Sequence, residues 1–215
     1  MLGVAAVFAD RADAGRRLAD LLPRDPQPPP VVLALPRGGV PVAVPVAAAC
    51  GGELDVLVVR KLGAPGNREY AIGAVGEGGA RVVDEGAVRS MRLSEEDLAA
   101  LVSAEEQELR RRVLAYRGTR PAVPVAGRPV VIVDDGMATG SSMAVAVQVA
   151  RHLGASRVTV AVPVGSWQAV AMLRGLADEV VCAEVPESFM AVGVHYDDFA
   201  QVDDAAVVGA LAGRP

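Results

Sequence analysis

Residues 130–142 read Val-Val-Ile-Val-Asp-Asp-Gly-Met-Ala-Thr-Gly-Ser-Ser, and their order decides the fold. Four consecutive β-branched residues suit a strand covered on both faces, as in a parallel sheet. Asp134 and Asp135 then fall at the carboxyl end of that strand, where open α/β sheets place their ligands. Thr139, Gly140, Ser141 and Ser142 lead into an apolar helical pattern over residues 143–153, so unpaired backbone N–H groups and three hydroxyls converge on one spot. Such a turn cradles phosphate, and the two neighbouring acids accept hydrogen bonds from a pair of sugar hydroxyls. Together they fit a ribose 5-phosphate. As helix caps the acids are misplaced, because they lie too far before the helical pattern for both to serve.

Outward from this stretch strands and helices alternate, which argues for a parallel twisted sheet flanked by helices. The pattern predicts a helix over residues 10–22, a Pro-rich connector over 23–30, a strand over 31–35 and a helix over 39–50 entered through Pro41. A strand follows at 55–60, then a loop rich in Gly, Pro and Asn at 61–68, and short strands at 72–75 and 80–83. Ser94 caps a long charged helix reaching Arg117. Strands at 158–163 and 179–184 flank a helix at 166–176, and the remaining tail reads as less regular.

The 215 residues suit one domain with a sizeable core. Lys plus Arg 21 against Asp plus Glu 26 gives −5, a balance that argues against nucleic acid or an anionic membrane surface as partner, so any anion site is local. Cys50 and Cys182 stand alone, with neither zinc spacing nor a disulfide framework, which points to a reducing cytoplasmic setting. The apolar start, residues 1–9, lacks a basic leader and meets Asp10, unlike a signal peptide. The apolar run 40–50 is broken by Pro45 and falls short of a bilayer span. A homodimer is left open.

The 130–142 stretch resembles the 5-phosphoribosyl-1-pyrophosphate (PRPP) signature of the type I phosphoribosyltransferases: a hydrophobic strand, two acids, then a T-G-x-S/T turn. The segments 61–75 and 189–201 resemble a little-characterised subgroup of these proteins. The resemblance implies a single phosphoribosyltransferase-like domain with its core at about residues 31–183 and a small hood from 1–22 and 184–215. It also implies transfer of the 5-phosphoribosyl group from PRPP to a nitrogenous acceptor with release of pyrophosphate, Mg²⁺ being held mainly by the substrate. In this reading Asp134 and Asp135 orient the ribose, and Met137, Ala138, Thr139, Gly140, Ser141 and Ser142 hold the 5-phosphate. Gly136 departs from the aliphatic residue usual there and is expected to loosen the turn. Ala138 replaces the acid that 6-oxopurine enzymes of the family carry, which disfavours a hypoxanthine or guanine acceptor.

Pro36-Arg37-Gly38-Gly39 occupies the place of the family's pyrophosphate loop; Gly38 and Gly39 admit an anion to the backbone and Arg37 supplies a charged fork. Lys61 is the chain's one lysine and heads a mobile-looking segment, where by resemblance Lys61 and Arg68 meet pyrophosphate or cover the reacting carbon. Glu69, Phe189, His195 and Tyr196 are candidates for holding the acceptor, with Glu69, His195 or Asp198 as general base. His152 reads as a helix-terminus cation. A non-catalytic PRPP-binding sensor or regulator is the alternative; a hydrolase or nucleotide oxidoreductase is disfavoured because the chain lacks a G-x-S-x-G elbow, a Walker A sequence and a strand-borne G-x-G-x-x-G turn.

Overall fold

The computed structural model describes residues 6–213, the side chains of Arg68 and Glu69 excepted. Five parallel strands form the central sheet: β1 (Val31–Ala34), β2 (Glu53–Val56), then β6 (Pro129–Val133), β7 (Arg157–Val164) and β8 (Glu179–Glu184). Their order is β2-β1-β6-β7-β8. From β1 the chain steps outward to β2, whereas from β6 it steps the other way through β7 to β8. The carboxyl ends of β1 and β6 therefore flank a topological switch point, the crevice where such sheets receive ligands.

The unbroken apolar runs of β1 and β6 follow from burial on both faces. Val32, Ala34, Val131 and Val133 face a layer built by α1 (Arg11–Ala19) and α2 (Gly39–Ala49). Val31, Leu33, Val130 and Ile132 face the opposite layer, with α5 (Ser141–His152) and α6 (Trp167–Leu173). Each such valine, leucine or isoleucine contributes about 1.5–3 kcal/mol when fully buried, so register is fixed on both sides of the sheet.

One expectation fails between residues 55 and 68. The chain leaves the main sheet at Val56 and enters a separate antiparallel sheet of β3 (Val59–Ala64), β4 (Asn67–Gly76) and β5 (Arg81–Val83). What read as a loop is a hairpin, turned at Gly66 with φ 77°. The glycines fit a strand here: register shifts flank Gly63, and a Cβ at Gly73 would overlap the Val82 carbonyl. After the short helix α3 (Glu85–Ser90) comes α4 (Glu95–Arg117), opened by the reciprocal capping of Ser94 and Asp97. Ion pairs Arg60–Glu105 at 2.7 Å and Arg81–Glu106 at 2.6 Å tie α4 to the hairpin sheet.

The tail is also more ordered than its sequence suggested. Phe8 bridges to Tyr196, and α7 (Asp204–Ala212) is capped by Asp203, whose carboxylate accepts the Ala206 N–H at 2.7 Å. Val207 and Leu211 bury α7 against the core. Among the described residues no helix is long and apolar enough to cross a membrane.

Candidate functional site

Asp134 and Asp135 directly follow β6, and the loop of residues 36–39 directly follows β1, its neighbour. The two loops touch. A Cβ at Gly38 would overlap the Asp135 carboxylate, and one at Gly39 would lie 2.6 Å from the Val133 carbonyl oxygen and 2.9 Å from Asp134 Cα. Glycine at both positions is thus a packing requirement, and it brings the backbone of this loop against the acids, the Gly39 N–H itself donating to the Leu35 carbonyl at 3.0 Å. The Pro36–Arg37 peptide is cis.

The acids are unequally supported. Asp134 Oδ1 accepts the Asp135 N–H at 2.9 Å, the one bond this side chain makes among the described residues. Asp135 Oδ2 accepts from Arg11 Nε at 2.8 Å, both side chains being largely buried at 11% and 15% exposure. Arg11 is itself fixed: Nη1 donates to the Ala200 carbonyl at 2.8 Å, and the guanidinium lies 3.8 Å from the centre of the Phe199 ring. Tyr196 donates its hydroxyl to the Asp135 carbonyl at 2.6 Å. Burial pushes the Asp134 carboxyl well above the usual range, and the adjacent Asp135 charge adds to it. Asp135 is raised by burial too, with the Arg11 bond acting the other way. A polar ligand that donates hydrogen bonds here relieves a site short of partners.

Downstream, the turn is clamped to the end of β7. Met137 N–H donates to the Val164 carbonyl at 3.0 Å, Ser166 N–H returns to the Met137 carbonyl at 3.0 Å, and Ser166 Oγ donates to the Ala138 carbonyl at 2.6 Å. Gly140 has φ 74° at the mouth of α5, a conformation that glycine adopts without strain. The first bond of that helix runs from Ala144 N–H to the Gly140 carbonyl, so the Ser142 and Met143 amides lie ahead of the ladder. Thr139 Oγ1 and Ser141 Oγ sit 3.0 Å apart in the same mouth. Amides, hydroxyls and the positive end of a helix make this an anion cradle. Gly136 is not loosely packed: a Cβ there would come within 2.6 Å of Val192 Cγ1 and 3.0 Å of Val164 Cγ1, so Val192 fills the space an aliphatic residue would take.

The remaining sequence candidates scatter. Arg37 points to α4 and α7, with Nη1 3.5 Å from Asp204 Oδ1. Lys61 is exposed on β3, opposite Ala74 of β4, instead of heading a loop. The backbones of Arg68 and Glu69 belong to β4, and their side chains lie outside the described residues. His195 and Tyr196 are buried, and Phe189 stacks on His195 with ring centres 5.7 Å apart. Among the described residues His195 Nε2 is buried without a hydrogen-bond partner. Asp198 accepts the Ala200 N–H at 2.9 Å, and His152 is exposed in the last turn of α5. An open groove of about 700 Å³ runs from Ala138 and Thr139 past Ser166 and Trp167 to Phe189 and Met190. A separate cavity of about 280 Å³ beside Asp55, Glu77 and Arg117 is walled mainly by apolar groups, and its charged groups are engaged with one another.

Sequence reasoning missed Arg11, Val192 and Ser166. Arg11 had a faint signal: a cation in the first turn of a helix opposes the dipole, so a specific partner is expected. Val192 and Ser166 act only through packing and a backbone contact, which one sequence does not expose.

Residues 5–198 match the family described as phosphoribosyl transferase domain. Two Mycobacterium tuberculosis proteins, from strains CDC 1551 and H37Rv and both named "Putative phosphoribosyl transferase", are 49% identical over 208 residues. That alignment covers 95% of this chain but 46% of theirs, so the chain spans about half the length of these relatives. The crystal structure of TT1426 from Thermus thermophilus is 49% identical, with a TM-score of 0.86 over 95% of this chain and 97% of that one.

Proposed function

The chain belongs to the phosphoribosyl transferase domain family, and on that premise we propose that it binds PRPP with Mg²⁺ and transfers the 5-phosphoribosyl group to a nitrogenous acceptor, releasing pyrophosphate. One observation carries the reading: two under-partnered carboxylates at the β6 end, pressed by Gly38 and Gly39 on one side and followed at once by the amide-lined mouth of α5. Asp134 and Asp135 take the two ring hydroxyls. The 5-phosphate rests among residues 137–142, bonded by amides and by the Thr139, Ser141 and Ser142 hydroxyls.

Displacement at the anomeric carbon leaves the sugar with oxocarbenium character while negative charge collects on the departing diphosphate, so preorganised electrostatics dominate. The Gly38 amide, the Arg37 fork and Lys61 serve that charge, together with Arg68 of β4. Among the described residues no three metal-binding side chains converge, and the donor chemistry of the acid pair suits a magnesium ion carried by substrate oxygens and water. When bound, Mg²⁺ supplies charge neutralisation for the leaving group. Asp135 is held by Arg11 and so oriented for the diol.

The acceptor occupies the groove beside Thr139, against Phe189, and Glu69 of β4 is a further candidate to meet it. His195 and Tyr196 shape that wall from behind, Tyr196 by pinning the Asp135 carbonyl. The protein works in the cytoplasm on small molecules and not on nucleic acid. A PRPP sensor without turnover is the second reading, favoured by Ala138, whose side chain cannot move a proton. Calorimetric titration with PRPP and Mg²⁺, then a pyrophosphate-release screen over bases and amines, separates these. Binding with release is expected; binding without release for every acceptor supports the sensor, and no binding defeats both.

A further inference from the structure

Arg37 shares a recess of about 250 Å³ with Arg111, Arg112, Tyr116 and Asp204. Its walls come from three separate elements: the loop after β1, the last turns of α4 and the first residue of α7. We infer that this recess binds the phosphate or diphosphate group of a small molecule through Arg37, Arg111 and Arg112, and that the bound anion displaces Asp204 from Arg37.

In a chain of net charge −5, three guanidiniums around one concavity run against the general balance. They are also incompletely engaged. Glu108 takes Nε and Nη2 of Arg111 at 2.7 and 3.0 Å and Nε of Arg112 at 2.8 Å. Among the described residues, Nη1 of Arg111 and both Nη atoms of Arg112 carry no hydrogen bond. Glu108 thus acts as a brace that aims two forks while leaving their outer N–H groups free for a tetrahedral anion. The Arg37–Asp204 contact, at 3.5 Å, is too long for a charge-assisted hydrogen bond and is easily exchanged for a phosphate oxygen. Tyr116 closes the floor, and its phenol is pushed up by burial and by Asp204 and down by Arg112, Arg37 and Arg111, so all four charges face it. Solvated pairs along one helix do not account for this arrangement, because Arg37 and Asp204 arrive from elsewhere.

The recess reaches the acid pair through the loop itself. Arg37 adjoins Gly38, whose position is set by contact with the Asp135 carboxylate. An anion that moves Arg37 therefore acts on the same crevice from outside. The inference rests on the recess geometry and shares only Arg37 with the proposed catalytic reading.

The test is calorimetric titration of inorganic pyrophosphate, without metal, into the full chain. The double variant Arg111→Ala/Arg112→Ala is expected to bind at least about 100-fold more weakly, since two charged hydrogen-bonding partners of the anion are lost. Asp204→Asn removes the competing carboxylate and should tighten binding, an effect that a damaged fold would not give. Metal-free pyrophosphate binding here and PRPP binding to the acid pair are read in separate titrations, the first compared with Arg111→Ala/Arg112→Ala and the second with Asp134→Asn/Asp135→Asn, which separates failure here from failure of the acid-pair reading. Adding pyrophosphate to protein saturated with PRPP identifies the source: continued binding assigns a separate phosphate-bearing effector, and exclusion assigns the diphosphate end of the substrate. Equal affinity of wild type and the double arginine variant, or no binding into the millimolar range, overturns the inference.

Discussion

Arg117 and Arg11 each meet a carboxylate in a place that water scarcely reaches, and the contrast between them separates scaffold from site. Arg117, at the end of α4, bonds Asp55 at 3.1 Å, Glu77 at 2.7 Å and the Val56 carbonyl at 2.9 Å. The acids are then shared further: Asp55 accepts the Val123 N–H at 2.8 Å and Glu77 the Val58 N–H at 2.9 Å. Every charge there is spent on joining β2, the hairpin sheet and α4. At the switch point Arg11 satisfies one oxygen of Asp135, while Asp134 keeps a single amide. The first arrangement is closed, and the second leaves capacity for a ligand.

Opening the closed arrangement should have the largest effect on stability. Arg117→Met strands two buried carboxylates and is expected to cost about 3–5 kcal/mol in urea unfolding; a loss under about 1 kcal/mol would remove the network from its structural role. Arg11→Ala should cost less, about 1–3 kcal/mol, because Asp135 can turn to solvent or ligand. Losses of equal size in the two variants would erase the contrast.

Asp134→Asn should do the reverse and stabilise the fold. A carboxyl whose affinity for its proton rises on folding favours the folded state while protonated, and that contribution fades as pH climbs from the ordinary carboxylate range through the raised folded value. At pH 8 the wild type has therefore lost stability relative to acid pH through this carboxyl, a loss that asparagine avoids while still accepting the Asp135 N–H. Differential scanning calorimetry should show the variant melting higher by about 2–4 °C for each kcal/mol gained, with the gain shrinking towards pH 4. Destabilisation at pH 8, or a gain that grows on acidification, would contradict the assignment of strain to this acid.

The same division explains what the sequence revealed. Covered strands and capped helices were legible because their signals are local: Val130 to Val133 alternate between two packed layers, and Ser94 with Asp97 spells a capping box. The segment after Lys61 misled because Gly63, Pro65 and Gly66 are loop residues by composition, yet bulges absorb one glycine and the turn uses another. Helix α7 was hidden by its small, weakly patterned residues, Ala205, Ala206, Gly209 and Ala210, with burial confined to Val207 and Leu211. Within the site, the acids, the glycine loop and the phosphate turn lie at strand ends and could be placed by topology. Arg11 and Val192 reach the acid turn from 124 and 56 positions away, distances at which sequence spacing carries no information.

The central claim is that Asp134 and Asp135 grip the sugar, and the direct measurement is PRPP affinity in the presence of Mg²⁺, wild type against Asp134→Asn/Asp135→Asn, with folding followed by circular dichroism. Replacing two charged acceptors should weaken binding by at least about 100-fold, two bonds of about 1.5–3 kcal/mol each, in a chain that remains folded. A folded double variant that retains wild-type affinity would contradict the account.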